Sequence, residues 1–166
     1  MTTRSAFLIL VILFFTSATA AAQSPPAGQP GTFEARVEEF LRQSGQEYHK
    51  VKANSWYLLV NVKEMGQIPI ILGAGPNSIA MGAVVVPKQK LQISTEALQK
   101  LMKLSYDLNY VRVCIDSDDD LIVIAQLKDP WLKVREFRTT IDLVAAAADR
   151  TFALMRPYLS KTYSPE

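Results

Sequence analysis

The sequence contains only one cysteine, Cys114, and only one histidine, His49. A single cysteine excludes an intramolecular disulfide, so the core alone must stabilise the folded domain. Cys114 lies in an alternating apolar stretch, which predicts a small buried side chain and not a reactive thiol. A lone histidine cannot build a zinc site, and no motif supplies His49 with an acid–base partner. We therefore expect His49, in the polar stretch 47–52, to be exposed and structural.

An excess of charge of one sign is also absent. The 18 Lys and Arg residues nearly balance the 16 Asp and Glu residues, and the formal net charge is +2. Proteins that bind nucleic acid concentrate Lys and Arg on one face. The balance therefore argues against a nucleic-acid partner.

The apolar run near the N-terminus is too short to be a membrane anchor. It covers residues 6–15, whereas a bilayer core needs about 20 apolar residues. Arg4 precedes the run and small alanines follow it, the order found in a secretory signal peptide. We expect a signal peptide over 1–22, export to a periplasm or out of the cell, and no membrane association after cleavage. Cleavage after Ala20 or after Ala22 fits this pattern, and the second leaves the polar Gln23 at the new terminus.

One domain follows the signal peptide. Residues 23–32 contain three prolines and no large apolar side chain, which predicts a flexible linker. The domain is expected over 33–160 and a short tail over 161–166. The sequence shows no internal repeat, so one core is expected.

Hydrophobic spacing predicts three helices and five strands. Apolar residues at steps of three and four predict helices over 32–43, 94–108 and 129–157, with Ser94 as an N-cap and Asp129-Pro130 as a start signal. Strands are predicted over 56–62, 68–72, 78–86, 111–115 and 121–127. The expected fold is α+β with the order α-β-β-β-α-β-β-α. Hairpin connections require a mostly antiparallel five-stranded sheet, with the helices packed on one face.

Besides the order of elements, two stretches of the sequence are informative about the protein family. They are the strand and acidic hairpin over 111–123, and the closing helix with Ile141, Val144, Ala148, Asp149 and Phe152. Together they resemble the YbjN-like proteins, whose fold is shared with class I type III secretion chaperones. The resemblance covers about residues 34–159. It implies binding of a protein or peptide partner in a chaperone-like way, and a homodimer, because the secretion chaperones are homodimers.

Two motifs suggest ligand binding but are incomplete. Asp116, Asp118 and Asp120 alternate as in a calcium loop, but Leu121 and Leu127 stand where an EF-hand needs a Gly and a bidentate Glu. The glycine-rich residues 73–78 lack the Lys and the following helix of a phosphate loop. Both stretches are therefore expected to be turns, and we expect neither a metal nor a cofactor.

The candidate partner-binding residues are aromatic. Trp56, Tyr57, Tyr110 and Trp131 are hypothesised to form a surface for a peptide or lipid ligand, because aromatic anchors give large contact areas at small entropic cost. The alternative interpretation is that they are the edges of the core. The alanine patch 145–148 is expected to pack on the sheet, with a dimer face as the alternative.

The sequence contains no recognisable catalytic constellation, since Cys, His and carboxylates do not cluster at a useful spacing. We therefore expect an exported, non-enzymatic YbjN-like protein that binds a protein or peptide. The alternative is a module that binds a small apolar ligand between the sheet and the long helix. An exposed apolar patch would support the first hypothesis, and an internal cavity would support the second.

Overall fold

The computed structural model describes residues 33–128 and 133–159. The predicted signal peptide, linker and tail lie outside these ranges, as does the predicted helix start at Asp129-Pro130. Within the described ranges, no helix is both long and apolar enough to cross a membrane.

The described residues form three α-helices and six strands. In chain order they are α1 (Phe33–Ser44), β1 (Tyr48–Lys52), β2 (Ser55–Val62), β3 (Gly66–Ala74), β4 (Ser78–Val86), α2 (Thr95–Asp107), β5 (Arg112–Ile115), β6 (Leu121–Lys128) and α3 (Val134–Met155). Short 3-10 helices follow β4 and α3, at Lys88–Lys90 and Arg156–Tyr158. Ser94 caps α2 as predicted, since its Oγ accepts a hydrogen bond from the backbone N–H of Ala97 at 3.1 Å.

The six strands form one antiparallel sheet in the order β1-β2-β3-β4-β6-β5. The prediction of an α+β fold with an antiparallel sheet is confirmed, but the prediction of five strands is wrong because β1 is a sixth. Its sequence is mainly polar because β1 is an edge strand that pairs only with β2. Tyr48 packs against the core, whereas Lys50 pairs with Glu34 of α1.

All three helices contribute to one core on the same face of the sheet. The longest helix, α3, lies against β4 and β6. Its residues Val144 and Ala148 are fully buried, and Phe152 is 1% exposed. The alanine patch packs inward, since Ala145 and Ala147 are also buried. Strand residues on this face alternate with residues on the other, as the pleat requires. The second face of the sheet therefore carries none of the described helices.

Candidate functional site

The helix-free face of the sheet is the candidate site, and we call it the open face. Hydrogen-bonded neighbours place one residue from each strand in a row across it. In strand order the row is His49, Tyr57, Ile71, Gly82, Ile124 and Arg112. The row is apolar in the middle and polar or basic at both ends.

A trough runs along β4 through the middle of the open face. Its floor consists of small side chains, namely Ser78, Ala80, Gly82 and Val84. Ile71 forms one wall, and Ile122 and Ile124 of β6 form the other, around an apolar depression of about 40 Å³.

Gly82 sets the depth of the trough. A Cβ atom at Gly82 would lie 3.0 Å from the carbonyl oxygen of Val123, which is tighter than almost all real contacts. The close approach of β6 therefore keeps the floor free of a side chain at this position.

One end of the trough opens into a basic pocket. This pocket has a volume of about 510 Å³ and is lined by residues that include Lys52, Ser55, Arg112 and Gln126. Lys52 and Arg112 are exposed, and neither forms an ion pair with any residue that the structure describes. Lys128 lies at the same end, opposite Ser78.

The open face carries no acidic residue within the described strands. Strand alternation and the pairing registers place four basic side chains on it: His49, Lys52, Arg112 and Lys128. Beside the face, the carboxylate of Glu47, which precedes β1, lies 3.8 Å from Nε2 of His49. The face is therefore apolar at its centre, with Lys52 on one edge strand and Arg112 on the other.

A second exposed apolar feature lies on α2. Leu98, Met102 and Tyr106 recur at four-residue intervals and are 43%, 74% and 90% exposed. The opposite side of the helix buries Ala97 and Leu101 in the core. We call the exposed residues 98, 102 and 106 the α2 stripe.

Three of the four predicted aromatic residues are described by the structure, and these three lie in different places. Trp56 is fully buried in the core, which agrees with the alternative interpretation, and its Nε1 has no acceptor among the described residues. Tyr57 lies on the open face, where its ring stacks on His49 at a centroid distance of 4.9 Å. Tyr110 is 88% exposed and lies two residues before β5. Strand β5 is the edge of the sheet opposite to the edge near β2. Trp131 lies outside the described residues.

The acidic hairpin is a backbone-supported turn, as predicted. Asp116 Oδ1 accepts hydrogen bonds from the N–H groups of Asp118 and Asp120, both at 3.0 Å. Asp120 Oδ1 accepts from the N–H of Lys88 at 2.7 Å. Burial raises the pKa of Asp116 despite these donors. No group of three or more His, Cys, Asp or Glu side chains in residues 33–128 and 133–159 is arranged to hold a metal.

The remaining candidates from the sequence are the glycine-rich stretch 73–78, His49 and Cys114. Gly75 donates its N–H to the carbonyl oxygen of Ser78 at 2.7 Å, and β4 starts there, so residues 73–78 form a strand connection as predicted. His49 is exposed on β1, also as predicted. Cys114 is partly buried, and burial raises the pKa of its thiol. A raised pKa keeps the thiol protonated and poorly nucleophilic.

The trough was missed at the level of sequence. The signal that could have found it is the alternation within β4, where Ser78, Ala80, Gly82 and Val84 are small while Ile79 and Met81 between them are large. This pattern indicates that β4 packs large side chains into the core on one face of the sheet and carries small side chains on the other face. It could not locate the walls or the basic end, because those depend on how β3, β5 and β6 pair with their neighbours.

Comparison of the sequence with family models and with curated proteins finds no match. Solved structures do share the fold. A chain of the heterodimeric ExoU–SpcU complex from the type III secretion system of Pseudomonas aeruginosa aligns with a TM-score of 0.55 at 15% identity, covering 73% of this chain and 98% of that chain.

Two further solved structures share the fold. YbjN from E. coli aligns with a TM-score of 0.53 at 14% identity over 76% of this chain and 94% of its own. A chain of the ExsC–ExsE complex aligns with a TM-score of 0.56 at 14% identity, over 75% and 96%. The YbjN-like, secretion-chaperone-like fold that the resemblance implied is confirmed by these structures.

Proposed function

We propose that this protein is a non-enzymatic binding protein that holds a segment of a partner protein against its open face, in a chaperone-like way. The observation that carries the proposal is the apolar trough along β4, on the side of the sheet opposite the helices. Apolar surface that remains exposed on a folded domain is a common mark of a protein-binding site.

The strand that forms the trough floor is long enough to lie along a short extended peptide. Six residue steps separate Ser78 from Val84, and at a rise of about 3.3 Å per residue they span roughly 20 Å. Small side chains along the floor allow the backbone of a bound segment to approach the sheet closely. The isoleucine walls offer apolar contact to its side chains, and such contacts are worth about 25 cal/mol per Å² of buried apolar area.

Two structural neighbours favour a protein as the partner. SpcU forms a heterodimeric complex with ExoU, and ExsC forms a complex with ExsE. The chemistry of the described residues favours binding over catalysis, because the clustered carboxylates of the acidic hairpin accept backbone hydrogen bonds and the Cys114 thiol has a raised pKa.

We place the site of action outside the cytoplasm, in a periplasm or in the medium. The support is the sequence pattern of residues 1–22, in which Arg4 precedes a short apolar run and small residues. The partner would then be an exported or cell-surface protein.

The alternative is a small apolar ligand between the sheet and the long helix, where the described core residues are closely packed. Met81 and Val123 of the sheet and Val144 and Ala148 of α3 are all 0% exposed and belong to one core cluster. No observation in this part of the structure favours the ligand-binding alternative.

A photo-crosslinking experiment tests the proposed function. The photoreactive amino acid p-benzoylphenylalanine replaces Val84 on the trough floor or, in a second variant, Ile122 on the trough wall. Both variants are made in the full-length chain, in cells that make the protein naturally. Arg138, an exposed residue of α3, is the control position. We expect a discrete crosslinked protein from position 84 and none from position 138. Absence of a crosslink at positions 84 and 122, with the variants folded and present, contradicts the proposal.

We also propose that the protein forms a homodimer through the α2 stripe. Three apolar side chains at four-residue spacing give one face of a helix that a second helix can cover. The open face would then stay available for the partner.

A further inference from the structure

We infer that the bound segment is an apolar peptide with acidic residues at one end, and that this acidic end lies beside Lys52 and Arg112. The inference rests on the proposed function and deepens it by naming the chemistry of the partner. It follows from the juxtaposition of an apolar trough with a pocket that Lys52 and Arg112 line from opposite edges of the sheet.

The lysine and arginine side chains of the open face have no carboxylate to balance them among the described residues. Lys52 and Arg112 both line the basic pocket, and neither forms an ion pair within the described part of the chain. Elsewhere on the surface, charged side chains are commonly paired, as in Lys50–Glu34, Lys100–Glu96 and Arg156–Glu64. The open face thus combines free positive charge with a complete lack of acidic side chains on its described strands.

The apolar and cationic parts form one continuous surface. Ala80 and Ile124 border the basic pocket, and Ile124 also lines the depression around Gly82. Arg112 pairs directly with Ile124 across β5 and β6. Lys52 lies in the row of Ala80, two residues along β4 from Gly82, and Arg112 lies in the row of Gly82. A segment whose apolar side chains lie over Gly82 therefore reaches the pocket between the two cations within about two residue steps, at roughly 3.3 Å each.

Charge complementarity selects the occupant. A carboxylate beside Arg112 can form charge-assisted hydrogen bonds with the guanidinium group, which are stronger than neutral ones. A basic segment would place like charges together, which is unfavourable. A second copy of this chain is also a poor occupant, because its own open face offers cations and no acidic side chain.

Three blocked synthetic peptides test the inference with the full chain after residue 22. They share one apolar run and end in aspartates, glutamines or lysines. Binding is followed by titration of the backbone amide signals of Gly82 and Ala80 in NMR spectra. We expect the aspartate peptide to bind about threefold to tenfold more tightly than the glutamine peptide, as surface ion pairs allow, and the lysine peptide to bind most weakly. The preference should shrink at high salt.

Charge-reversal variants provide the second readout. Lys52→Glu combined with Arg112→Glu should invert the order, so that the lysine peptide binds best. Both side chains are exposed, so the fold should persist, and Lys103→Glu on α2 is the matched control that should change nothing.

The outcomes separate this inference from the proposed function. Equal affinities for the three peptides, with amide shifts at Gly82, would overturn the charge selection and leave the peptide site standing. Absence of shifts at the trough with every peptide overturns both. Saturable binding of decanoate at Gly82, without binding of any peptide, also overturns the inference and assigns the site to a small amphiphile.

Discussion

At the scale of single residues, Tyr110 has an unusual backbone. Its φ is +65°, in the left-handed region, and its side chain is 88% exposed. This conformation costs a residue with a side chain about 1–2 kcal/mol relative to the right-handed one. Because most of the ring is in solvent, few contacts within the described structure offset that cost.

Replacing Tyr110 with glycine is expected to stabilise the fold. Tyr110→Gly should raise the free energy of unfolding by about 0.5–1 kcal/mol, because glycine adopts positive φ without strain but has more entropy to lose on folding. Urea denaturation followed by circular dichroism measures the change. The control is Lys103→Gly, which puts glycine at an exposed position in the interior of α2 and should cost about 1 kcal/mol. A loss of stability in both variants would contradict the prediction.

Glu34 is a buried acid whose ionisation stabilises the folded state. Its carboxylate lies 2.9 Å from Nζ of Lys50 and accepts a hydrogen bond from the N–H of Asn54 at 3.1 Å. Burial acts to raise the pKa of Glu34, but the hydrogen bonds from Lys50 and Asn54 outweigh it and hold the pKa below the usual 4.5. Because the pKa is lower in the folded state than in the unfolded chain, the folded state binds fewer protons.

The stability that Glu34 contributes should therefore be lost in acid. It is fully present above the unfolded pKa and disappears as the pH falls through the folded pKa. Glu34→Gln should lower the free energy of unfolding by about 1–3 kcal/mol at neutral pH and make it less sensitive to pH below about 5. Urea denaturation at a series of pH values measures this. Glu47→Gln, at a side chain that is 89% exposed, is the control that should leave the pH profile unchanged. Parallel profiles for wild type and Glu34→Gln would contradict the assignment.

At the scale of elements, one carboxylate ties α3 to the β2–β3 hairpin. Asp149 Oδ1 accepts hydrogen bonds from the N–H groups of Glu64 and Met65, at 2.7 and 3.1 Å. Nearby, Arg156 pairs with Glu64 at 2.7 Å. The turn that joins the two strands is therefore held by the helix that covers the sheet.

Removing this carboxylate should loosen the hairpin more than it changes the helix. Asp149→Ala leaves two backbone donors without their acceptor and should cost about 1–3 kcal/mol of unfolding free energy. Amide hydrogen exchange should speed up most at Glu64 and Met65. Asp149→Asn retains a side-chain oxygen and should cost less. Equal exchange rates at the hairpin in wild type and Asp149→Ala would show that the contact does not hold the turn.

The elements differ in how far the sequence predicts them. The helices and the inner strands were predictable because Val144, Phe152, Ile79 and similar residues repeat with the period of their element. β1 was missed because an edge strand buries little, and its order of Tyr, His, Lys, Val and Lys shows no clear alternation. The open-face trough was missed for another reason. Its walls come from Ile71 and Ile124, which are brought to either side of Gly82 only by strand register.

At the scale of the whole molecule, the helices divide the surface into parts with different roles. Because α1, α2 and α3 all pack on one face, the other face is free of described helices, and we propose that the partner binds there. The outer side of α2 is a second apolar surface. The two surfaces lie on opposite sides of the sheet. A dimer through the α2 stripe and a partner on the open face can therefore coexist.

The expected assembly is a homodimer that depends on Met102 and Tyr106, which are 74% and 90% exposed. Multi-angle light scattering of the chain after residue 22 should give twice the monomer mass. The double variant Met102→Lys, Tyr106→Lys should shift the chain to a monomer, because loss of each large apolar contact costs about 1.5–3 kcal/mol and like charges then meet across the interface. Its circular dichroism spectrum should be unchanged, since neither side chain is in the core. Leu59→Lys on the open face is the control and should remain dimeric. A monomeric wild type would refute the homodimer and leave the α2 stripe as a surface for a different protein. A dimer that is broken only by Leu59→Lys would place the subunit interface on the open face. That result would contradict the proposed use of the open face for a partner.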